Sequence, residues 1–227
     1  EYAPGEFTLT QGLMGTPYVV VILRTFINAN DPADIKTANA LQDAVTVAQD
    51  DPGAFEVPDW NIEQVETLRK AINVLAATKT DTSGFFGDKS KLNPIDHLLG
   101  TAYGWGGNPK EATIYLNATP EKNDGKTPHT MTITDKVPVE DGGFVSITMY
   151  NKEGYMQEND LKMYSVNNVT ADHNEDGTVT IHAGGCEDGR KNCLPITEGW
   201  NYIIRLYKPS PEIISGDYQF PTFEESK

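Results

Sequence analysis

The spacing of apolar residues changes near residue 110. From Ala112 onward, apolar and polar positions alternate in short runs: ATIYLNA, HTMTITD, FVSITMYN, MYSVNNVT, TVTIHA and NYIIRLYK. That period of two is the pattern of half-buried antiparallel strands. Four Asp-Gly pairs, Asp124-Gly125, Asp141-Gly142, Asp176-Gly177 and Asp188-Gly189, predict the turns. Between residues 31 and 104 the period is helical. Asp31 caps and Pro32 opens a helix whose stripe is Ile35, Ala38, Leu41, Val45 and Ala48, running to about Gln49. Asn61, with Gln64 at capping-box spacing, starts a second helix with Val65, Leu68, Ile72 and Leu75 on one side. Asn93-Pro94 opens a third, short helix through His97 and Leu98. Before residue 31, FTLT, a turn at Gly12 to Gly15, and YVVVILRTFI read as extended, the last as a strand buried on both faces. Asn30-Asp31-Pro32 marks the switch from strand to helix, and Thr78 to Gly87 reads as loop. The fold class is therefore mainly β with a helical segment. The C-terminal half is an antiparallel β-sandwich or jelly roll, and about three helices lie between residues 31 and 104.

Composition narrows the range of partners. The 227 residues carry 33 acidic against 18 basic side chains, a net charge of −15. Such a field repels phosphate backbones and anionic lipid, so no nucleic-acid partner is expected. No apolar run approaches the length of a bilayer-spanning helix, so no membrane insertion is expected either. The sequence opens at Glu1 without a Met or a signal-like segment, the form of a processed, trimmed or truncated end. No cofactor and no metal site are expected, and the sequence contains no P-loop, dinucleotide-binding, H-E-x-x-H or G-x-S-x-G motif.

Several features bear on chemistry. Cys186 and Cys193 flank a polar turn, which suits a disulfide-stapled loop, although buried free thiols and a metal site remain open alternatives. A disulfide implies an oxidising compartment, periplasmic or extracellular. The run from Asp172 to Gly177 imitates the start of a calcium loop, but its twelfth position is Ala183 rather than Glu, so a hairpin turn is expected. His97, His129, His173 and His182 are dispersed and read as structural, with His129 and His182 on strands that could converge on a metal. Arg24, inside the most apolar run, requires either a structural ion pair or an anion or acyl oxygen to hold. Trp105, Asn108, Tyr150, Tyr155, Tyr164, Asn168, Trp200 and Arg205 form an aromatic, amide and guanidinium set suited to a polar ligand such as a glycan. Asn117-Ala-Thr119 and Asn168-Val-Thr170 are sequons that decide nothing.

Taken together, RTFINANDPADIKTANALQDA, PGAFEVPDW, HLLGTAYGWGGNPKEATIYLNATPEKNDGKT, YSVNNVT, GGC…NCLPI and GWNYIIRLYKP resemble a bacterial two-domain family. It pairs domain of unknown function 1254 with domain of unknown function 1214. The resemblance covers nearly the whole chain. It implies that residues 110–227 are the second, jelly-roll-like domain. Residues 1–109 are then the latter part of the first domain plus its helical connection, in a shortened relative or a nicked chain. The 18–27 strand would then need a cover, either a retained N-terminal fragment or a second copy of the chain.

The family carries no settled function. The expectation is an exported binding or structural protein for a polar ligand, with a hydrolase, esterase-like or metal-assisted, as the alternative. The hydrolase site would lie between the domains and include Arg24, His97 or His182. Whether the protein is an enzyme stays open.

Overall fold

The computed structural model describes residues 5–16, 18–25, 27, 31–79, 82–134 and 136–226. Phe26 of the expected first strand, Asn30 of the expected switch, Thr80 and Asp81 of the expected loop, and Asp135 after HTMTIT lie outside these residues. The chain forms two compact units, Glu1–Asp59 and Trp60–Lys227.

The first unit contains α1 (Gln11–Met14) and α2 (Pro32–Asp43). Helix α1 replaces the turn expected at Gly12 to Gly15. Thr10 Oγ1 accepts the Leu13 amide at 3.2 Å, and Gly15 ends the helix with φ 67°. Asp31 caps α2 by accepting the Ala33 amide at 2.9 Å, and Pro32 takes the first position. The helix stops at Asp43, short of Gln49. Of the expected stripe only Ala38 is buried, so the later turns lack the packing that sustains a short helix.

The expected strand over 18–27 does not form. Residues 18–25 are irregular and pair with no strand among the described residues, and Val20 is 79% exposed. A β-branched run is only a surface that suits a sheet; without a neighbouring strand its backbone has nothing to bond. Arg24 is correspondingly exposed rather than buried in an apolar strand, which removes the requirement for a buried counter-charge.

The second unit begins with α3 (Ile62–Ala76) and α4 (Pro94–Gly104). Asn61 and Asn93 cap them through their side-chain oxygens, to the Gln64 and Ile95 amides at 3.1 and 2.8 Å. The two helices share a small core of Ala76, Phe85 and Leu99, with Ile72 and Phe86 against it. Val65, Leu68 and Leu75 of the expected α3 stripe are exposed.

Among the described residues eight strands follow: β1 (Thr113–Ala118), β2 (His129–Ile133), β3 (Val139–Tyr150), β4 (Ser165–Asn167), β5 (Val179–Ala183), β6 (Cys193–Leu194), β7 (Asn201–Pro209) and β8 (Glu224–Glu225). They form two four-stranded sheets, ordered β1-β7-β3-β4 and β6-β5-β2-β8. All pairs are antiparallel except β5 with β6. A helix α5 (Pro211–Ser215) follows β7. Thus the chain is a mixed helix-and-strand protein whose strands occupy the half where the alternation places them.

Inward side chains of both sheets form one buried cluster. Val145, Ile147, Ile204 and Leu206 come from the first sheet, and Met131, Ile133, Val179 and Ile181 from the second. Trp200, Tyr202 and Phe223 add an aromatic group, with the Tyr202 and Phe223 rings edge to face at 4.9 Å. The Asp124-Gly125 turn packs tightly against the chain: a Cβ on Gly125 would lie 2.4 Å from the Glu198 amide nitrogen. Asp141-Gly142 departs from the expected hairpin turn. It lies inside β3, where the register against β7 shifts between Val139 and Phe144, so its left-handed glycine (φ 72°) serves a bulge.

This packing fixes where truncation is felt. Ile147→Ala, at a side chain 0% exposed, should cost about 2–5 kcal/mol in chemical unfolding. Leu68→Ala, 63% exposed, should stay within about 0.5 kcal/mol. Equal losses at both sites would contradict the placement of Ile147 in the core and Leu68 at the surface.

Candidate functional site

The outer face of the first sheet carries the most functional chemistry. On β7 the alternation sends Tyr202, Ile204 and Leu206 inward, which leaves Ile203, Arg205 and Tyr207 outward. Pairing then sets Tyr115 of β1 and Ser146 of β3 beside Arg205, with Asn167 of β4 in the same row. The Arg205 guanidinium donates to Thr148 Oγ1 at 3.0 Å and to the Tyr150 hydroxyl at 2.7 Å, and sits 5.8 Å from the Tyr150 ring centre. No carboxylate forms an ion pair with it among the described residues. Of the five guanidinium N–H donors, the two hydroxyls take two, and the remainder can meet a ligand. Beside it, Asn108 fixes the Tyr115 hydroxyl, donating from its backbone N–H at 3.3 Å and its Nδ2 at 2.9 Å. Phe144 and Tyr207 stack at 4.4 Å on the same face.

Of the residues expected to hold a ligand, Arg205 and Tyr150 are in direct contact, and Asn108 joins them through Tyr115. Tyr115 and Thr148 were missed. Their signal is present as polar positions in alternating runs, but only the strand order shows that they flank Arg205. Trp200 is a correction: at 1% exposure it belongs to the core, with its ring edge to face on His129 at 5.3 Å. Asn168 acts as backbone, its Oδ1 accepting the Val145 amide at 2.7 Å where β4 runs out. Tyr164 is half-buried, and with Tyr150 and Trp200 it lines a cleft of about 10 Å³, the room of a single water. Trp105 and Tyr155 stand on separate loops, 69% and 72% exposed. Arg24 belongs to the other unit.

The disulfide forms between Cys186 and Cys193. It walls a groove of about 350 Å³ that also takes in Met163, Val166, Ala171, Lys191 and Asn192. Asp188, beside the disulfide, is gripped by Arg190. The Arg190 side chain first, then its backbone N–H, holds the Asp188 carboxyl down to about 2. Asp124 is likewise held at about 2, by the Thr127 and Lys126 amides and the Thr127 hydroxyl. The Asp172 to Gly177 run is a turn, with Asp176 accepting from the Thr178 amide and hydroxyl, but it joins β4 and β5 of different sheets and so is not the expected hairpin.

His129 and His182 lie on paired strands at neighbouring register positions, but the alternation sends them to opposite faces of the sheet. His97 Nδ1 pairs with the Phe85 carbonyl at 2.9 Å and His129 Nδ1 with the Thr127 carbonyl at 2.9 Å. The His173 ring bridges the Gly177 and Asn168 carbonyls. His182 is half-buried with Nδ1 unpartnered, and burial, then the Arg190 charge, lowers its pKa. Among the described residues, no three His, Cys, Asp or Glu side chains converge as a metal site would require. No described helix is long and apolar enough to cross a membrane.

The second unit is thus of the mixed helix-and-strand class, with two antiparallel-rich sheets and helices capped by asparagine ahead of them. Residues 111–211, which carry β1 to β7, match the family described as protein of unknown function (DUF1214). The chain is similar in fold to the VPA0106 protein from Vibrio parahaemolyticus, with 22% identity and a TM-score of 0.57. That match covers 96% of this chain and 61% of the other, so this chain spans about three fifths of its length. An uncharacterized protein from Burkholderia cenocepacia is 20% identical over 58% of this chain and 33% of its own, with a TM-score of 0.39. No curated protein matches the sequence.

The two gripped carboxylates set an acid limit. Carbon-detected NMR titration should place Asp124 and Asp188 at about 2, below the ordinary 3.8. With the folded value depressed, the stabilisation is fully present above about pH 4 and is lost as pH falls through about 2. Midpoints near 3.8 for both would show that these hydrogen bonds do not form.

Proposed function

We propose that this is an exported bacterial binding protein that holds a polar ligand, such as a glycan, on the outer face of the first sheet. The observation that carries the proposal is Arg205, a half-buried guanidinium held by two hydroxyls instead of a carboxylate. Two hydroxyls orient the charge without neutralising it, so the attraction stays available to an incoming oxygen. The Tyr115 and Tyr150 rings beside it offer flat apolar surface, and Asn108 adds an amide. In this account the two sheets make a jelly-roll sandwich over residues 110–227, and residues 1–109 are the latter part of the partner domain numbered 1254 plus its helical connection. The disulfide supports a periplasmic or extracellular location.

Arg205→Gln and Tyr150→Phe should each weaken retention on a glycan array by about tenfold, with unchanged thermal unfolding. Full retention by both folded variants would remove the site. Turnover of a small ester by the wild-type protein, lost in His97→Ala or His182→Ala and kept in Arg205→Gln, would favour the hydrolase alternative instead.

A cover over residues 18–27, by a second copy or a separate N-terminal segment, is also proposed. Its support is the exposed apolar run from Tyr18 to Leu23. Light scattering should give a mass above the 25.0 kDa of one chain. A 25.0 kDa species with the run still open to solvent would refute it.

A further inference from the structure

The groove beside the disulfide lies where free edges of the two sheets come together. Strand β4 is the last of the first sheet and β6 the last of the second, and both line it. The register tells which backbone groups face outward. Met149 N donates to the Tyr164 carbonyl and Asn168 N to the Val145 carbonyl, so alternate residues 164, 166 and 168 bond to β3. Ser165, between them, turns its N–H and carbonyl away from the sheet. On the other side, His182 N donates to the Asn192 carbonyl and Gly184 N to the Leu194 carbonyl, so Asn192 and Leu194 face β5. Cys193 therefore turns its own N–H and carbonyl outward.

Between these edges the floor is apolar. Met163, Val166, Ala171 and the Cys186–Cys193 bridge form the apolar part of a groove of about 350 Å³ whose rim also carries Thr170, Arg190 and Lys191, enough for one large side chain and its neighbours. The wall opposite β4 is rigid. Asn192 is held at φ 50° by accepting the Asp172 amide and donating to the Asp172 and Thr180 carbonyls, while the disulfide ties β6 to the turn at Cys186–Asp188. A fixed groove with main-chain donors and acceptors on its rim and an apolar floor is the combination that receives an added strand.

We propose that this groove binds an extended peptide segment of a partner protein, which pairs with Ser165 of β4 and places an apolar side chain against Met163, Val166 and the disulfide. The edge is short, β4 being three residues, so the main chain supplies register and the buried side chain supplies most of the affinity. Its edge strand belongs to the sheet that carries Arg205, with Ser165 opposite Thr148, but the docking groups are the outward main chain of Ser165 and the groove rather than the guanidinium.

Ser165→Pro separates the edge from the fold. The Ser165 N–H does not bond to β3, so proline there deletes only the outward donor, as it does on natural edge strands. The probe is a phage-displayed library of short random peptides, followed by titration of the selected peptide against the whole chain. The expected result is a selected peptide with an apolar anchor whose affinity falls about tenfold in Ser165→Pro and in Met163→Glu. Should the proline variant unfold, Met163→Glu, at a partly exposed side chain, carries the test alone. No selected peptide, or one whose affinity is unchanged in a folded variant, overturns the proposal. So does binding of small apolar amphiphiles in the groove with no peptide competing for it.

Discussion

The second unit depends on the register of β7. It is the only described strand bonded to both β1 and β3, so its side-chain alternation is transmitted to the whole first sheet. With Tyr202, Ile204 and Leu206 inward, the two sheets share a continuous apolar interior. A slip of one residue would exchange them for Ile203, Arg205 and Tyr207 and bury an unpaired guanidinium. The cost of that alternative is large enough that Arg205 doubles as a register mark, whatever else it does.

The same alternation explains why the polar face is ordered. Thr148 and Tyr150 are two residues apart on β3 and share the outer side, so one guanidinium can bridge both hydroxyls. Asn108 reaches this face from the segment between α4 and β1, which couples the helical part of the unit to the sheet through the Tyr115 hydroxyl. Elsewhere the chain closes its loops with side-chain amides in place of backbone. Asn151 accepts the Glu153 and Tyr155 amides, Asn159 accepts the Met163 amide, and Asn168 continues the ladder of β3. Asn168, expected in the sequence to meet a ligand, is thereby occupied.

Legibility followed the physics of each segment. Alternating runs and capped helices were readable because local period and capping chemistry determine them, and the six strand-like runs each contain a strand. Strands β6 and β8, two residues each, leave no periodic trace. The run at 18–25 failed for the opposite reason: β-branched residues state a preference, and a sheet also needs a neighbour. Trp200 looked like a ligand platform because composition cannot distinguish a buried ring from an exposed one, and its position beside the inward Tyr202 decided the matter. Tyr115 was invisible as a site residue, because its neighbour Arg205 stands ninety positions later (115 against 205). The disulfide was legible from its short polar loop. The groove behind it was not, since it arises from two sheet edges distant in sequence.

Strand order also carries a consequence in time. The first sheet takes β1, β3, β4 and β7 and the second takes β2, β5, β6 and β8, so β7, which lies between β1 and β3, is synthesised after every other strand of its sheet. Until residues 201–209 leave the ribosome, β1 and β3 have no neighbour between them, and their apolar faces wait uncovered. Contacts of such sequence separation form slowly and late. A chain stalled before β7 therefore presents β1 without its partner strand and the first sheet incomplete, so the nascent protein depends on whatever shields that face until β7 has emerged.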